Sequence, residues 1–312
     1  MIGRNLNNFD VTVQSWYSVC RSSKVRPGKV KGFTILNRKI ALYRDSNGRI
    51  YALDARCSHM GADLSLGKVV GCCLQCPLHK WEYDSEGRVA SAPYEREIPQ
   101  RRVRAYPTAE KYGHVWIFNG PESLFDIPDI DANRYRALGL PSRYINNHPH
   151  FLTANGLDWR HLDTLHDMQF SKQSQWFKKG EYGVEVEHWG RPKNRLFQLL
   201  TWTAKKDFNA SFETMGANIA IISVRIPVDF FILFSNTPTN DKRSRLTAVA
   251  FLPRRDPFSF LKALWVYLFL TGFVLLYKDH KIFNTTDFIP GFTDVDEPFR
   301  MFGEIVDKLP TY

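Results

Sequence analysis

Two short arms, Cys57-Ser58-His59 and Cys76-Pro77-Leu78-His79, constrain this chain more than any other feature. Sixteen residues separate them. Each arm offers one soft thiolate and one imidazole, and four such ligands close in sequence read as a metal site. A disulfide framework is excluded by count, since only 5 Cys occur in 312 residues and the number is odd. Two centres take this donor set. A zinc ion would use all four ligands in one tetrahedron. A [2Fe–2S] cluster of mixed ligation would place both Cys on one iron and both His on the other. Gly61, Gly67, Gly71 and Pro77 punctuate the segment and suit loops that wrap closely around a centre. Cys72 and Cys73 fit no ligand position and read as small hydrophobes in a loop. Cys20 lies in a strand-like run and reads as core.

The surroundings of the arms are β-rich. Val11–Val19, Phe33–Leu36, Lys39–Tyr43, Ile50–Leu53 and His114–Phe118 read as short strands, and Asp45-Ser46-Asn47-Gly48 reads as a hairpin turn between two of them. Many short strands with turn punctuation predict a small sandwich or barrel. A turn-rich stretch at 120–140 marks a boundary, giving domains of 1–125 and 126–312. The second part mixes a helical segment, Ala154–Phe170, with strand-like runs including Leu196–Thr203, Ile219–Ile226 and Leu246–Leu252, and ends in an amphipathic helix, Glu297–Lys308. That pattern predicts an α+β class.

Charge is divided unevenly. Residues 1–120 hold 19 Lys+Arg against 10 Asp+Glu, whereas residues 121–312 hold 23 against 22. A basic first domain attracts an acidic partner at long range. The excess is modest for a dedicated nucleic-acid binder, and solubility alone accounts for such a balance. No charged-then-apolar leader opens the sequence, which predicts a cytoplasmic setting. Phe258–Tyr277 is strongly apolar, but Lys262 interrupts it. The clean run, Ala263–Tyr277, falls short of a ~30 Å hydrocarbon core at about 1.5 Å per residue. It predicts a buried helix, with membrane contact as the less favoured reading.

A second constellation lies at Asn155, Asp158, His161 and His166. Two imidazoles and a carboxylate are the makings of a 2-His-1-carboxylate iron site. His161 and His166 are five apart, so on a regular helix they diverge. Sharing one ion requires the helix to widen, kink or bulge there. Asp163 and Asp167 are competing carboxylates that read as solvated or structural.

Residues 57–83 closely resemble the Rieske domains of the Rieske non-haem iron oxygenases. The two extra Cys of the cytochrome-complex Rieske proteins correspond to Ala62 and Leu78, and the serine that bonds a sulfide there corresponds to Trp81. Fewer hydrogen bonds to sulfur imply a lower reduction potential. Residues 155–166 resemble the N-x-x-D-x-x-H-x4-H motif of the same family. Residues 279–284 resemble the D-x-x-I-W-N stretch of its branch containing aminopyrrolnitrin oxygenase, steroid 9α-hydroxylases and cholesterol 7-desaturases, with Phe283 in the Trp position. The resemblance implies an all-β Rieske domain followed by a helix-grip (START-like) α+β catalytic domain. It implies a [2Fe–2S] cluster on Cys57, His59, Cys76 and His79, and a mononuclear Fe(II) on His161, His166 and Asp279. Asp287, Asp294 and Asp296 are alternatives to Asp279.

Asp158 would carry electrons to His161 from the partner subunit's His79, and Asn155 would line the site. The implied activity is O2-dependent hydroxylation, N-oxygenation or desaturation of an organic substrate. The implied partners are a ferredoxin or NAD(P)H-dependent reductase and two further copies in a homotrimer, with no nucleic acid. Trp176, Phe177, Trp189, Phe197, Trp202, Phe208, Phe212, Met215, Ile219 and Ile221 favour a bulky apolar or aromatic substrate. An electron carrier fused to a ligand-binding domain without catalytic iron is the rival reading.

Overall fold

The computed structural model describes residues 3–166, 168–193, 207–226, 229–254, 279–286, 288–289 and 291–312; for Pro192, Phe208, Ile226, Asp279 and His280 it describes the backbone alone. The chain divides into two compact units: Gln14–Leu124 with Tyr312, and Met1–Val13 with Phe125–Thr311.

The Gln14–Leu124 unit is all β among its described regular elements apart from two short 3-10 turns. Strands Trp16–Arg21, His114–Phe118 and Thr108–Lys111 form one antiparallel sheet. Strands Val30–Ile35, Arg38–Arg44, Ile50–Asp54 and Ala105–Tyr106 form a second. The expected turn at Asp45–Gly48 joins two of these strands, and Asp45 Oδ1 accepts the Arg49 N–H at 2.8 Å. A third sheet, of Lys68–Val70, Cys73–Gln75, Glu82–Tyr83 and Val89–Ser91, carries the second Cys–His arm between its middle strands. His114–Phe118 is buried along its whole length. Tyr43, Leu53, Leu64, Leu74, Trp81 and Tyr83 form a core against Cys57 and Cys76.

The second unit is built on a nine-stranded antiparallel sheet among the described residues. Strands Phe230–Pro238 and Ser244–Pro253 are mostly buried, and their register pairs Phe231 with Phe251 and Leu233 with Val249. Four helices are described here: α1 (Pro149–Ala154), α2 (Trp159–Leu165), α3 (Asp279–Phe283) and α4 (Glu297–Lys308). The bounds of α4 match those read from its amphipathic pattern. Thr293 and Asp296 form a capping box ahead of it, Pro298 sits in its first turn, and Phe299, Phe302, Ile305 and Val306 form its buried face. That face packs on strand Gly183–Pro192, while α1 packs on Phe230–Pro238. The apolar segment 258–277 and the strand expected at Leu196–Thr203 lie outside the described residues. Among the described residues no helix is long and apolar enough to cross a membrane.

Residues 3–8 are held within this unit. Asp307 accepts the N–H groups of Gly3, Asn5 and Leu6, and His150 Nδ1 accepts that of Asn7 at 3.0 Å. Burial pushes His148 down to about 4 and His150 well below its ordinary value. Both titrate lower in the folded chain than unfolded, so the unfolded state takes up more protons as pH falls below about 6.5. The unfolding midpoint of this unit should therefore fall between pH 6.5 and 4, and His148→Gln should flatten that slope in pH-dependent melting curves. Phe302 is fully buried, and Phe302→Ala should cost about 3–5 kcal/mol in urea unfolding.

Candidate metal centres

The first arm follows strand Ile50–Asp54. Cys57 N–H donates to Ala62 O at 2.9 Å and Gly61 N–H returns to Cys57 O at 2.9 Å, closing a loop around His59. Gly61 takes φ +76°, which a side chain would oppose. In the second arm Cys76 N–H donates to Trp81 O at 2.8 Å. The two arms meet: the His59 and His79 rings lie 4.6 Å apart, edge to face, and Trp81 stacks on His59 at 4.4 Å. Both thiols are buried, Cys57 at 3% and Cys76 at 1% exposure, and neither is in a disulfide. His59 Nδ1 is buried with no hydrogen-bond partner among the described residues. An orphaned imidazole nitrogen beside two buried thiols is costly unless a metal takes its lone pair. Burial pushes the Cys76 thiol up, against the pull of the Leu78 and His79 N–H groups. A bound cation offsets that penalty by stabilising the thiolate. The residues fit a cluster.

Trp81 holds the place of a sulfide-bonding serine, yet the sulfur ligands are not bare. The Tyr83 hydroxyl lies 3.0 Å from Cys57 Sγ and 3.1 Å from Ser58 Oγ, and it accepts the Ser58 N–H at 3.2 Å. Tyr83 thus supplies one contact to a ligand sulfur, while the position of the sulfide-bonding serine is still filled by Trp81.

In the second unit, α1 gives way to a 3-10 turn at Asn155–Leu157, and Asp158 then starts α2. Asp158 Oδ1 accepts the N–H groups of Arg160 at 3.0 Å and His161 at 3.3 Å, as an N-cap. Its backbone carbonyl accepts from His161 Nδ1 at 2.7 Å. A carbonyl only accepts, so Nδ1 carries the proton and Nε2 presents its lone pair, the tautomer a metal ligand needs. The His161 and His166 rings stand 5.3 Å apart and nearly perpendicular. The sequence called for a widened, kinked or bulged helix. Instead α2 ends at Leu165, and His166 leaves the helix with φ −100° and ψ 6°. Termination of the helix brings the two rings together without a bulge.

Asp279 is the first residue of α3, and its side chain lies outside the described atoms. The far end of α3 is tied to the start of α1. Asn147 Nδ2 donates to Phe283 O at 2.7 Å, Asn284 Oδ1 accepts the Asn146 N–H at 2.6 Å, and the Phe283 ring meets Phe151 at 5.3 Å. Asp163 pairs with Lys193 at 2.7 Å. Asp296 is committed to the Thr293 cap and the Arg160 guanidinium. Asp294 lines a cavity described below, and Asp167 and Asp287 lie outside the described residues. Among the described residues no three His, Cys, Asp or Glu side chains gather on one ion.

His188 was not singled out from sequence. It is 3% exposed, its Nδ1 accepts from Ser174 Oγ at 2.8 Å, and its Nε2–H donates to the Gly156 carbonyl at 3.3 Å. Burial pushes it down to about 4, so it is neutral near pH 7. A period-two reading of strand Gly183–Pro192 puts it on the buried face with Val184 and Val186, the one signal that marks it. Of the expected pocket residues, Phe212, Ile219 and Ile221 are buried, and Phe212 packs against Gly156 with no room for a Cβ. Phe197 and Trp202 lie outside the described residues. Trp176 lines a cavity of about 470 Å³ with Trp159, Phe170, Ser174, Val186 and Glu297.

Residues 15–107 match the family model described as the Rieske [2Fe-2S] domain. That match decides for the cluster over zinc. The cholesterol 7-desaturase of Xenopus laevis is 30% identical over 222 residues, covering 65% of this chain and 49% of that protein. The aminopyrrolnitrin oxygenase of Pseudomonas fluorescens is 35% identical over 136 residues, covering 40% and 37%. The chain thus spans about half the length, or less, of these curated relatives. Dicamba monooxygenase bound to 3,6-dichlorosalicylic acid shares the fold, with a TM-score of 0.71 over 94% of this chain and 96% of that one, at 21% identity. A Rieske domain joined to a mostly sheet α+β domain is the architecture these findings define. Residues 15–107 are a Rieske [2Fe-2S] domain, and the chain as a whole is similar to proteins named as Rieske-type oxygenases and desaturases.

A hydrogen bond to a ligand sulfur favours the reduced, more negative state. At about 0.5–1.5 kcal/mol per bond, Tyr83→Phe should lower the one-electron midpoint potential by roughly 20–65 mV, read by spectroelectrochemical titration.

Proposed function

We propose that this chain is the terminal oxygenase of a Rieske system, an O2-dependent oxidoreductase acting on a bulky apolar or aromatic small molecule. Cys57, His59, Cys76 and His79 hold the [2Fe–2S] cluster, and His161, His166 and Asp279 hold a mononuclear Fe(II). Bound there, the two centres supply the single electrons that O2 activation requires.

The observation that carries this reading is the His161–His166 pair. The Asp158 carbonyl fixes the His161 tautomer, and the end of α2 turns His166 toward it. Two imidazoles set edge to face at 5.3 Å suit one shared ion better than two independent surface histidines. The ties from Asn146 and Asn147 to the end of α3 support a place for Asp279 near them. Asp158 uses Oδ1 for its cap, which leaves Oδ2 for the electron link to the partner subunit's His79 in a head-to-tail trimer. Asn155, one turn earlier, lines the same site. Met60 at 70% and Leu78 at 55% exposure place apolar side chains beside the cluster arms, as a docking surface requires. The basic surplus of residues 1–120 suits an acidic ferredoxin as donor. The relatives are named as a desaturase and an oxygenase and the structural neighbour as a monooxygenase, so hydroxylation, N-oxygenation and desaturation all remain within the reading.

Iron and acid-labile sulfide per chain test it, together with an EPR spectrum of the dithionite-reduced protein. Three irons and two sulfides with a Rieske signal are expected, and His161→Ala or His166→Ala should leave two irons and two sulfides. Two irons in the unaltered protein, with no further Fe(II) taken up on reconstitution, would favour the electron-carrier reading. Turnover driven by a ferredoxin should fall steeply as salt is raised from 0.01 to 0.5 M, since the Debye length shrinks from about 30 Å to under 10 Å.

A further inference from the structure

Cys72 and Cys73 stand apart from the ligand arms. They sit at the hairpin joining Lys68–Val70 to Cys73–Gln75, where Val70 pairs with Cys73 and Gly71 and Cys72 form the turn. Gly71 takes φ +59° at the first turn position, where glycine is favoured. The turn is fastened from outside. Gly71 O accepts from Ser46 N–H and Oγ, each at 3.4 Å, and Cys72 O accepts from the Tyr43 hydroxyl at 3.3 Å. Cys72 is exposed, Cys73 is half-buried, neither is in a disulfide, and the two sulfurs lie 3.8 Å apart.

Two sulfurs so placed have two simple fates. A disulfide needs them at about 2.05 Å with Cα atoms at least about 4.4 Å apart. Neighbouring residues hold their Cα atoms no more than about 3.8 Å apart, so this bond would form only with distortion. A thiophilic centre bonded to both is easier to fit. With bonds of about 2.3 Å and a tetrahedral angle the sulfurs stand about 3.8 Å apart, and the narrower angle of a pyramidal trivalent centre draws them somewhat closer. The pair therefore already has the bite of a chelate. No third His, Cys, Asp or Glu side chain joins it among the described residues, so a four-ligand protein site for zinc is not built here. A monosubstituted trivalent arsenic centre needs only two sulfurs.

We propose that Cys72 and Cys73 form a vicinal dithiol site for trivalent arsenicals. Binding is a condensation without electron transfer. With phenylarsine oxide, two As–S bonds form, the arsenic–oxygen bond breaks, both thiol protons leave on that oxygen as water, and arsenic stays trivalent. Burial and the neighbouring Cys72 push the Cys73 thiol up, so it is poorly reactive toward reagents that need a thiolate. A ligand that takes both sulfurs gains from the second bond being intramolecular.

The holoprotein, with its cluster in place, is incubated with one equivalent of phenylarsine oxide and weighed by native mass spectrometry. The expected product is one adduct heavier by the reagent less one water. It should resist excess 2-mercaptoethanol, release to 2,3-dimercaptopropanol, and leave the cluster's visible bands unchanged. Cys72→Ser and Cys73→Ser should each weaken retention about tenfold or more, because a single As–S bond loses the chelate. Absence of the adduct, its loss to the monothiol, or its survival in either variant would overturn the site. So would bleaching of the cluster bands, which would place the reagent on Cys57 and Cys76.

Discussion

The geometry of the second unit turns on one residue used three ways. Asp158 closes the 3-10 turn through its N–H to Asn155 O at 3.3 Å, caps α2 through Oδ1, and orients His161 through its carbonyl. Each contact is a modest hydrogen bond, on the order of 1 kcal/mol. Together they fix the start of the helix, the direction of the first imidazole and the distance along the chain to the second. A short helix that starts and stops within seven residues then does what a long regular one could not: it sets two side chains five apart on converging paths.

The support beneath that turn comes from the sheet. Strand Gly183–Pro192 delivers His188 to the Gly156 carbonyl, and the neighbouring strand delivers Phe212 against Gly156 itself. The turn is thus held by a hydrogen bond from a neutral, buried imidazole and by close packing that leaves no space for a larger residue. The Rieske unit follows a different plan. Its two arms are loops, one after strand Ile50–Asp54 and one between Cys73–Gln75 and Glu82–Tyr83, and they are joined by ring contacts among His59, His79 and Trp81, so the alignment of the ligands depends on aromatic packing as well as on backbone.

Much of this was legible in the sequence. The Cys–His arms, the hairpin at Asp45–Gly48, the buried run His114–Phe118 and the bounds of α4 follow from spacing, turn residues and periodicity, which act locally. Three features were not legible. The end of α2 at Leu165 is not announced by Gly or Pro, so a helix through His166 was the natural reading. Ala154–Phe170 read as one helical stretch, whereas the chain there forms the last residue of α1, a 3-10 turn, the short helix α2 and the strand Met168–Phe170, because capping at Asp158 and pairing with strand Gly183–Pro192 override local preference. His188 and Tyr83 act across strands, through partners 32 and 26 residues away, and no local pattern reports such contacts.

The stack of Trp81 on His59 has a further consequence. The two planes are within 5° of parallel at 4.4 Å, close enough for their π systems to overlap. An indole in that position shares the electronic environment of the ring beneath it. Its absorption and emission should register any change of charge at His59, giving the chain an intrinsic optical gauge located at the edge of the ligand set.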